Sequence, residues 1–331
     1  MHKRFRVLLM ISVGLFPAAP AWPQSRMAGA QSDPPKYVTA ELGVEKNVVY
    51  GMYSGLALLM DVYHPQKANG YGVIFIAGSG WQAPLTYDAV GLKDTERQIS
   101  VWISPLVRAG YAVFAINHRA APRFHYPAAV EDAQRAVRFV RHHAREYGVD
   151  PAHLGGVGGS SGAHLVGLIA MLAAAGVADD PDPVNREPAT LQSIVLRAAP
   201  SDLKQMIGAG GFPQVVSFME LPPFRSTGFS VQDEKVYTAA SPIAHVSRTA
   251  PPVLLLHGDA DKTVPFQQSV SMEAALRAAN VPVKLVRIPG GEHGPDFGVP
   301  GKPNPEWPDF LGEMVRWLDQ YLKAPPTSAD K

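Results

Sequence analysis

Cysteine is absent from the 331 residues, which excludes disulfides, a thiolate nucleophile and a lipidated N-terminal cysteine. No stretch reaches the roughly 20 apolar residues that a membrane-spanning helix needs. Charge of one sign is not in excess, with 30 Lys and Arg against 29 Asp and Glu. The cations form no stripe or run beyond the first few residues, so no nucleic-acid surface is expected. There is no internal repeat, and the 30 Gly and 31 Pro are scattered as turn punctuation rather than gathered in a low-complexity tract. Neither Gly-x-x-x-x-Gly-Lys-Ser/Thr nor Gly-x-Gly-x-x-Gly stands in the Gly-rich loop near residue 78, which argues against a nucleotide cradle.

What is present begins with a separable N-terminus. Lys3, Arg4 and Arg6 precede the apolar run 7–16 and a small-residue stretch ending Ala19-Pro20-Ala21. A positive start, an apolar core near ten residues and an Ala-x-Ala site predict a signal peptide over 1–21, and hence an exported protein, periplasmic or secreted, without stable membrane anchoring. Cleavage there removes three cations and no acid, taking the net charge from +1 to about −2. Cleavage after Ala30 is the alternative. Residues 22–44 read as a flexible leader, 45–323 as one catalytic domain and 324–331 as a tail.

Within that domain, strand and helix signals alternate. Strands are expected at 48–50, 56–63, 72–77, 111–117, 153–157, 191–196, 253–256 and 283–288. Helices are expected at 99–109, 128–147, 161–175, 266–279 and 307–322. Residues 130, 133, 136, 137 and 140 are apolar at helical spacing. Repeated βα units predict a mostly parallel sheet with helices on both faces and functional loops at the strands' C-terminal ends. The interval 202–237 lacks clean periodicity, is rich in aromatics and methionine, and reads as a lid-like insertion or pocket wall.

Three short segments carry chemistry. Gly158-Gly-Ser160-Ser-Gly162 stands where a strand turns directly into a helix, the pattern that exposes a nucleophilic serine at a helix N-terminus. Ser161 is a weaker competitor, because Ala163 would replace its second glycine. A serine needs a base, and the base an orienting acid, in the chain order Ser, acid, His. Asp261 follows the strand at 253–256 and His293 follows the strand at 283–288, so both belong at the end of the sheet that carries Ser160. Asp259 is the rival acid, although it suits a turn just after the strand. Oxyanion donors are expected from the amides of Ser79, Gly80 and Ser161. Trp81, Phe212, Phe218 and Phe224 are expected to line a substrate pocket, or else to pack the core.

Taken together, these segments resemble the hormone-sensitive-lipase-like α/β-hydrolases, in the esterase/lipase branch that includes bacterial carbohydrate and feruloyl esterases. The likeness spans about 45–323 and includes Asp61, Arg119, Asp132, Asp150-Pro151, Ser160-x-Gly162-x-His164, Ser241-Pro242, Asp261-x-x-Val264-Pro265 and His293-Gly294. It implies the α/β-hydrolase fold with an eight-stranded sheet, and hydrolysis of short-chain carboxylic esters as small-molecule substrates, with no metal or cofactor. Two departures stand out: Ala77-Gly-Ser-Gly80 replaces the usual His-Gly-Gly-Gly, and His118 replaces the usual Tyr. Losing that His removes a brace of the loop. An amidase or formamidase of the same fold, or a catalytically silent binding protein, is the alternative.

Overall fold

The computed structural model describes residues 43–208, 212–221, 231–298, 304 and 306–323, all within one compact unit. The expected signal peptide and Phe224 lie outside the described residues. Eight strands form one sheet: β1 (Gly43–Tyr53), β2 (Leu56–His64), β3 (Gly72–Ile76), β4 (Ala112–Ile116), β5 (Leu154–Gly159), β6 (Ser193–Arg197), β7 (Val253–Gly258) and β8 (Val283–Ile288). Their order is β1-β2-β4-β3-β5-β6-β7-β8. β2 runs antiparallel to both neighbours, and the strands from β4 across to β8 are mutually parallel.

The helices are α1 (Glu96–Gln98), α2 (Ser104–Arg108), α3 (Ala128–His142), α4 (Ser161–Leu172), α5 (Leu203–Gly208), α6 (Pro213–Met219), α7 (Val231–Ala239), α8 (Gln267–Ala278) and α9 (Phe310–Leu322). β3, β4, β5 and β6 are buried along their whole length, because helices cover both faces and alternate side chains must enter opposite cores. Ile74 and Ile76 join one core with Val137, Leu165 and Leu276. Val73 and Phe75 join the other with Trp102, Leu106 and Trp317. The anticipated stripe at 130, 133, 136, 137 and 140 is buried in the first core.

Three expectations change. The helix expected at 128–147 ends at His142, and the chain turns through Gly148 at φ +63° to enter β5. The helix expected at 99–109 is present but not uniformly α: it opens π-wound over Ile99–Ile103, directly after α1, and continues as α2. The interval 202–237 contains α5, α6 and α7, with Leu203, Met206, Val215 and Phe218 buried in the first core. Each is short, so its periodicity is too brief to register.

Several of the family-like residues prove to be buried electrostatic ties. Arg119, three residues past the end of β4, donates from its backbone N–H and from Nε to the Asp132 carboxylate of α3. Asp61, fully buried on β2, lies 2.6 Å from Lys46 Nζ and 2.8 Å from Lys93 Nζ. Lys93 is itself only 3% exposed, so removing Asp61 leaves this buried cation with only the part-exposed Asp94 carboxylate at 3.0 Å. Asp61→Ala is expected to lower the unfolding free energy by about 3 kcal/mol or more, measured as a shift in the urea midpoint at unchanged slope.

Candidate active site

β5, β7 and β8 end at the same edge of the sheet, with β6 between β5 and β7, and the three expected side chains issue from those ends. Between β5 and α4 the chain reverses so tightly that Ser160 takes φ 52°, ψ −124°, a conformation that costs a non-glycine residue free energy unless its surroundings hold it. Gly158 and Gly162 allow the turn: a Cβ on Gly158 would lie 2.6 Å from the carbonyl oxygen of Gly162, and one on Gly162 would overlap the carbonyl oxygen of Ile76. The turn presents the Ser160 hydroxyl at the N-terminus of α4.

His293 Nε2 lies 2.9 Å from Ser160 Oγ, and His293 Nδ1 lies 2.7 Å from Asp261 Oδ2. The second Asp261 oxygen accepts the backbone N–H groups of Thr263 and Val264, which fixes the carboxylate plane. Burial acts to raise the Asp261 pKa, but hydrogen bonds from His257, His293 and Val264 outweigh it and hold the carboxyl far below the usual range. Burial depresses the pKa of His293, and the charge of Arg197 adds to this; Asp261 opposes both. The imidazole is therefore neutral at neutral pH, with Nδ1–H donated to Asp261 and Nε2 free to accept from Ser160. Asp259 is elsewhere: it binds Arg287 and the N–H of Gly290. Glu292 is exposed.

The early Gly-rich loop sits against this elbow, held by residues that the sequence reading passed over. Gln98 accepts the N–H of Gly78 and donates to the carbonyl of Gly78, each at 3.0 Å, a two-point clamp where the usual histidine brace is missing. The Ser79 N–H donates to Ser161 Oγ at 2.8 Å. Of the three amides expected in the oxyanion hole, that of Ser79 is thus engaged by a side chain. Gly80 lines the same cavity as Ser160, and the Ser161 amide has no intrahelical acceptor because it opens α4.

Trp81 is 2% exposed and held from two sides. Its ring stacks on Phe218 at 4.8 Å, and its Nε1–H donates to His164 Nδ1 at 3.1 Å. Since Nδ1 accepts, His164 carries its proton on Nε2 and donates it to the carbonyl of Ala240 at 2.7 Å. Phe218 is therefore the support beneath Trp81, the core-packing alternative of the two expected; it is 1% exposed and absent from the cavity lining. Trp81 and Phe212 do line a cavity of about 290 Å³, with Ser160, Arg197, Met206 and His293.

Burial depresses the pKa of His164 to about 4. The unfolded chain therefore takes up a proton near pH 6.5 that the folded protein refuses until about pH 4. Stability from this group is present above pH 6.5 and lost as pH falls through that window, by about 3 kcal/mol in all. His164→Gln is expected to lessen the loss of urea resistance between pH 7.5 and 4.5 relative to the parent protein. Equal losses in both would remove His164 as the cause.

Among the described residues, no helix is long and apolar enough to cross a membrane. A family model described as BD-FAE matches residues 60–276. Esterase LipQ of Mycobacterium tuberculosis is 34% identical over 262 residues, covering 76% of this chain and 58% of that protein. The probable carboxylic ester hydrolase LipM of the same organism is 32% identical over 259 residues, covering 76% and 56%. The chain thus spans a little over half the length of these relatives. Among solved structures, a truncated carbohydrate esterase from gut microbiota superimposes with a TM-score of 0.68 at 24% identity, covering 85% of this chain and 97% of that one. An esterase of Thermogutta terrifontis does so with a TM-score of 0.64 at 23% identity, covering 89% and 97%. The sheet and its helices are those of the α/β-hydrolase fold.

Proposed function

The chain belongs to the BD-FAE family, and from that membership and its site geometry we propose that it is a serine carboxylic-ester hydrolase acting through an acyl-enzyme. The observation that carries this reading is the continuous hydrogen-bonded path from Ser160 through His293 to Asp261. In it Ser160 Oγ attacks the ester carbonyl while His293 Nε2 takes the hydroxyl proton. Asp261 holds the ring in the tautomer that leaves Nε2 unprotonated and stabilises the imidazolium that forms. The carbonyl oxygen, now carrying the negative charge, turns toward the amides of Gly80 and Ser161 at the positive end of α4. His293 returns the proton to the departing alkoxide, and the alcohol leaves. Water then attacks the acyl-enzyme, giving its proton to His293, and collapse releases the acid and restores Ser160. The proton given up by Ser160 leaves with the alcohol and is replaced by one from water that His293 passes back to Ser160, so the cycle closes with His293 as its one proton carrier.

The small cavity, bounded by Trp81 and Phe212, supports short acyl chains. The signal-like residues 1–21 support export to the periplasm or the medium. Purified protein is expected to hydrolyse p-nitrophenyl acetate and butyrate, and octanoate at least about tenfold less efficiently. Absence of activity on all three would sink the esterase reading. Because the pKa of His293 is depressed, the base form persists into mild acid, and kcat/KM should stay level through neutrality and fall with a midpoint below pH 6.5. A midpoint above pH 7 would contradict a buried neutral base.

A further inference from the structure

Arg197 ends β6 in a position the reaction above does not use. It is 4% exposed, yet lines the cavity together with Ser160 and His293. Its Nη1 donates to the carbonyl of Gly294 at 2.9 Å. Nε is buried without a hydrogen-bond partner, and among the described residues none accepts from Nη2 or forms an ion pair with the guanidinium. The nearby carboxylates are committed elsewhere: Asp261 to His293 and backbone amides, and Asp296 to Arg97 at 2.6 Å. The described residues that line the cavity include no Asp or Glu, which leaves Arg197 as the one formal charge on its wall apart from a titrating His293.

A guanidinium used only to hold the His293 loop through one carbonyl would not need to sit unpaired at the cavity wall. Buried charges are ordinarily paired, because desolvation is otherwise uncompensated. We propose that Arg197 is an anion subsite, and that the ester this protein hydrolyses carries a carboxylate close to the scissile bond, on its acyl or its alcohol part. A planar fork with open N–H groups matches a carboxylate, and a bound anion would supply the missing counter-charge. Burial lowers the Arg197 pKa to about 10 against the opposing, longer-range attraction of Asp261 and Asp296, so the group stays cationic at neutral pH. This inference rests on the ester-hydrolase reading and narrows its substrate.

The test compares esters of similar size with and without that carboxylate. For the acyl side the pair is monomethyl succinate and methyl butyrate; for the alcohol side it is 3-acetoxybenzoate and its methyl ester. The wild-type protein is expected to favour the anionic member of one pair by about tenfold or more in kcat/KM, and the pair that responds identifies the side. In Arg197→Met that preference should vanish, and in Arg197→Lys it should be partly restored. The ratio within one enzyme cancels any loss common to both esters, such as movement of the His293 loop. Should Arg197→Met fail to fold, glutarate should still inhibit methyl butyrate hydrolysis by the wild-type protein competitively, and glutaramide should not. Neutral esters preferred in both pairs, or an anion preference unchanged in Arg197→Met, would overturn the subsite while leaving the esterase intact. No hydrolysis of any ester would remove both.

Discussion

Ser160→Ala is expected to lower kcat/KM toward p-nitrophenyl butyrate by about 10⁴-fold or more while leaving the fold and its thermal midpoint nearly unchanged. The hydroxyl accounts for one of the two hydrogen bonds made by His293, and without it no other atom at the turn can form the acyl-enzyme. Ser161 does not substitute, since its Oγ holds the Ser79 amide at the oxyanion loop. The residual rate should resemble that of a site that binds and polarises the ester without attacking it. Steady-state kinetics together with intact-mass detection of an acyl adduct checks this. An adduct that persists in Ser160→Ala would move the nucleophile elsewhere, with Ser161 next to be replaced.

Gly162→Ala should have the largest effect on stability for the fewest added atoms. Its Cβ would overlap the Ile76 carbonyl oxygen and stand 2.6 Å from that of Ala77, and these are backbone atoms with no rotamer to escape into. Either α4 lifts from β3, or β3 and the loop after it shift, and both carry parts of the site. A loss of more than about 4 kcal/mol of unfolding free energy is expected, with activity reduced even where folded protein is recovered. Denaturant unfolding and kcat/KM measure the two effects. A Gly162→Ala variant with parental stability would show that α4 does not approach β3 as closely as the described geometry requires.

Much of this arrangement was legible from residues alone. A strand buried on both faces must be apolar throughout, so β3, β4 and β7 stood out as runs bounded by glycine or polar residues. Ser160, Asp261 and His293 were readable together because each follows a strand signal, and strand ends in a parallel sheet share one edge. What escaped notice depended on contacts between segments with no local pattern. Gln98 clamps Gly78 from a helix 20 residues away, and no periodicity marks it. Arg197 did leave a signal, a cation closing the apolar run Ile194–Leu196 at the end of a strand that enters the site.

The sequence by itself determined the sheet-and-helix alternation, the tight Gly158–Gly162 turn and the order of Ser160, Asp261 and His293, because hydrophobic period and backbone sterics act over a few neighbouring residues. Only the tertiary structure decided that Phe218 supports Trp81 from beneath, that Ser161 engages the Ser79 amide, that Gln98 clamps Gly78, and that Arg197 lines the cavity with no ion-pair partner among the described residues. Those outcomes depend on which distant groups are pressed together when water is excluded. Hydrogen bonding and charge pairing in that space are settled by three-dimensional proximity, which a linear pattern does not encode.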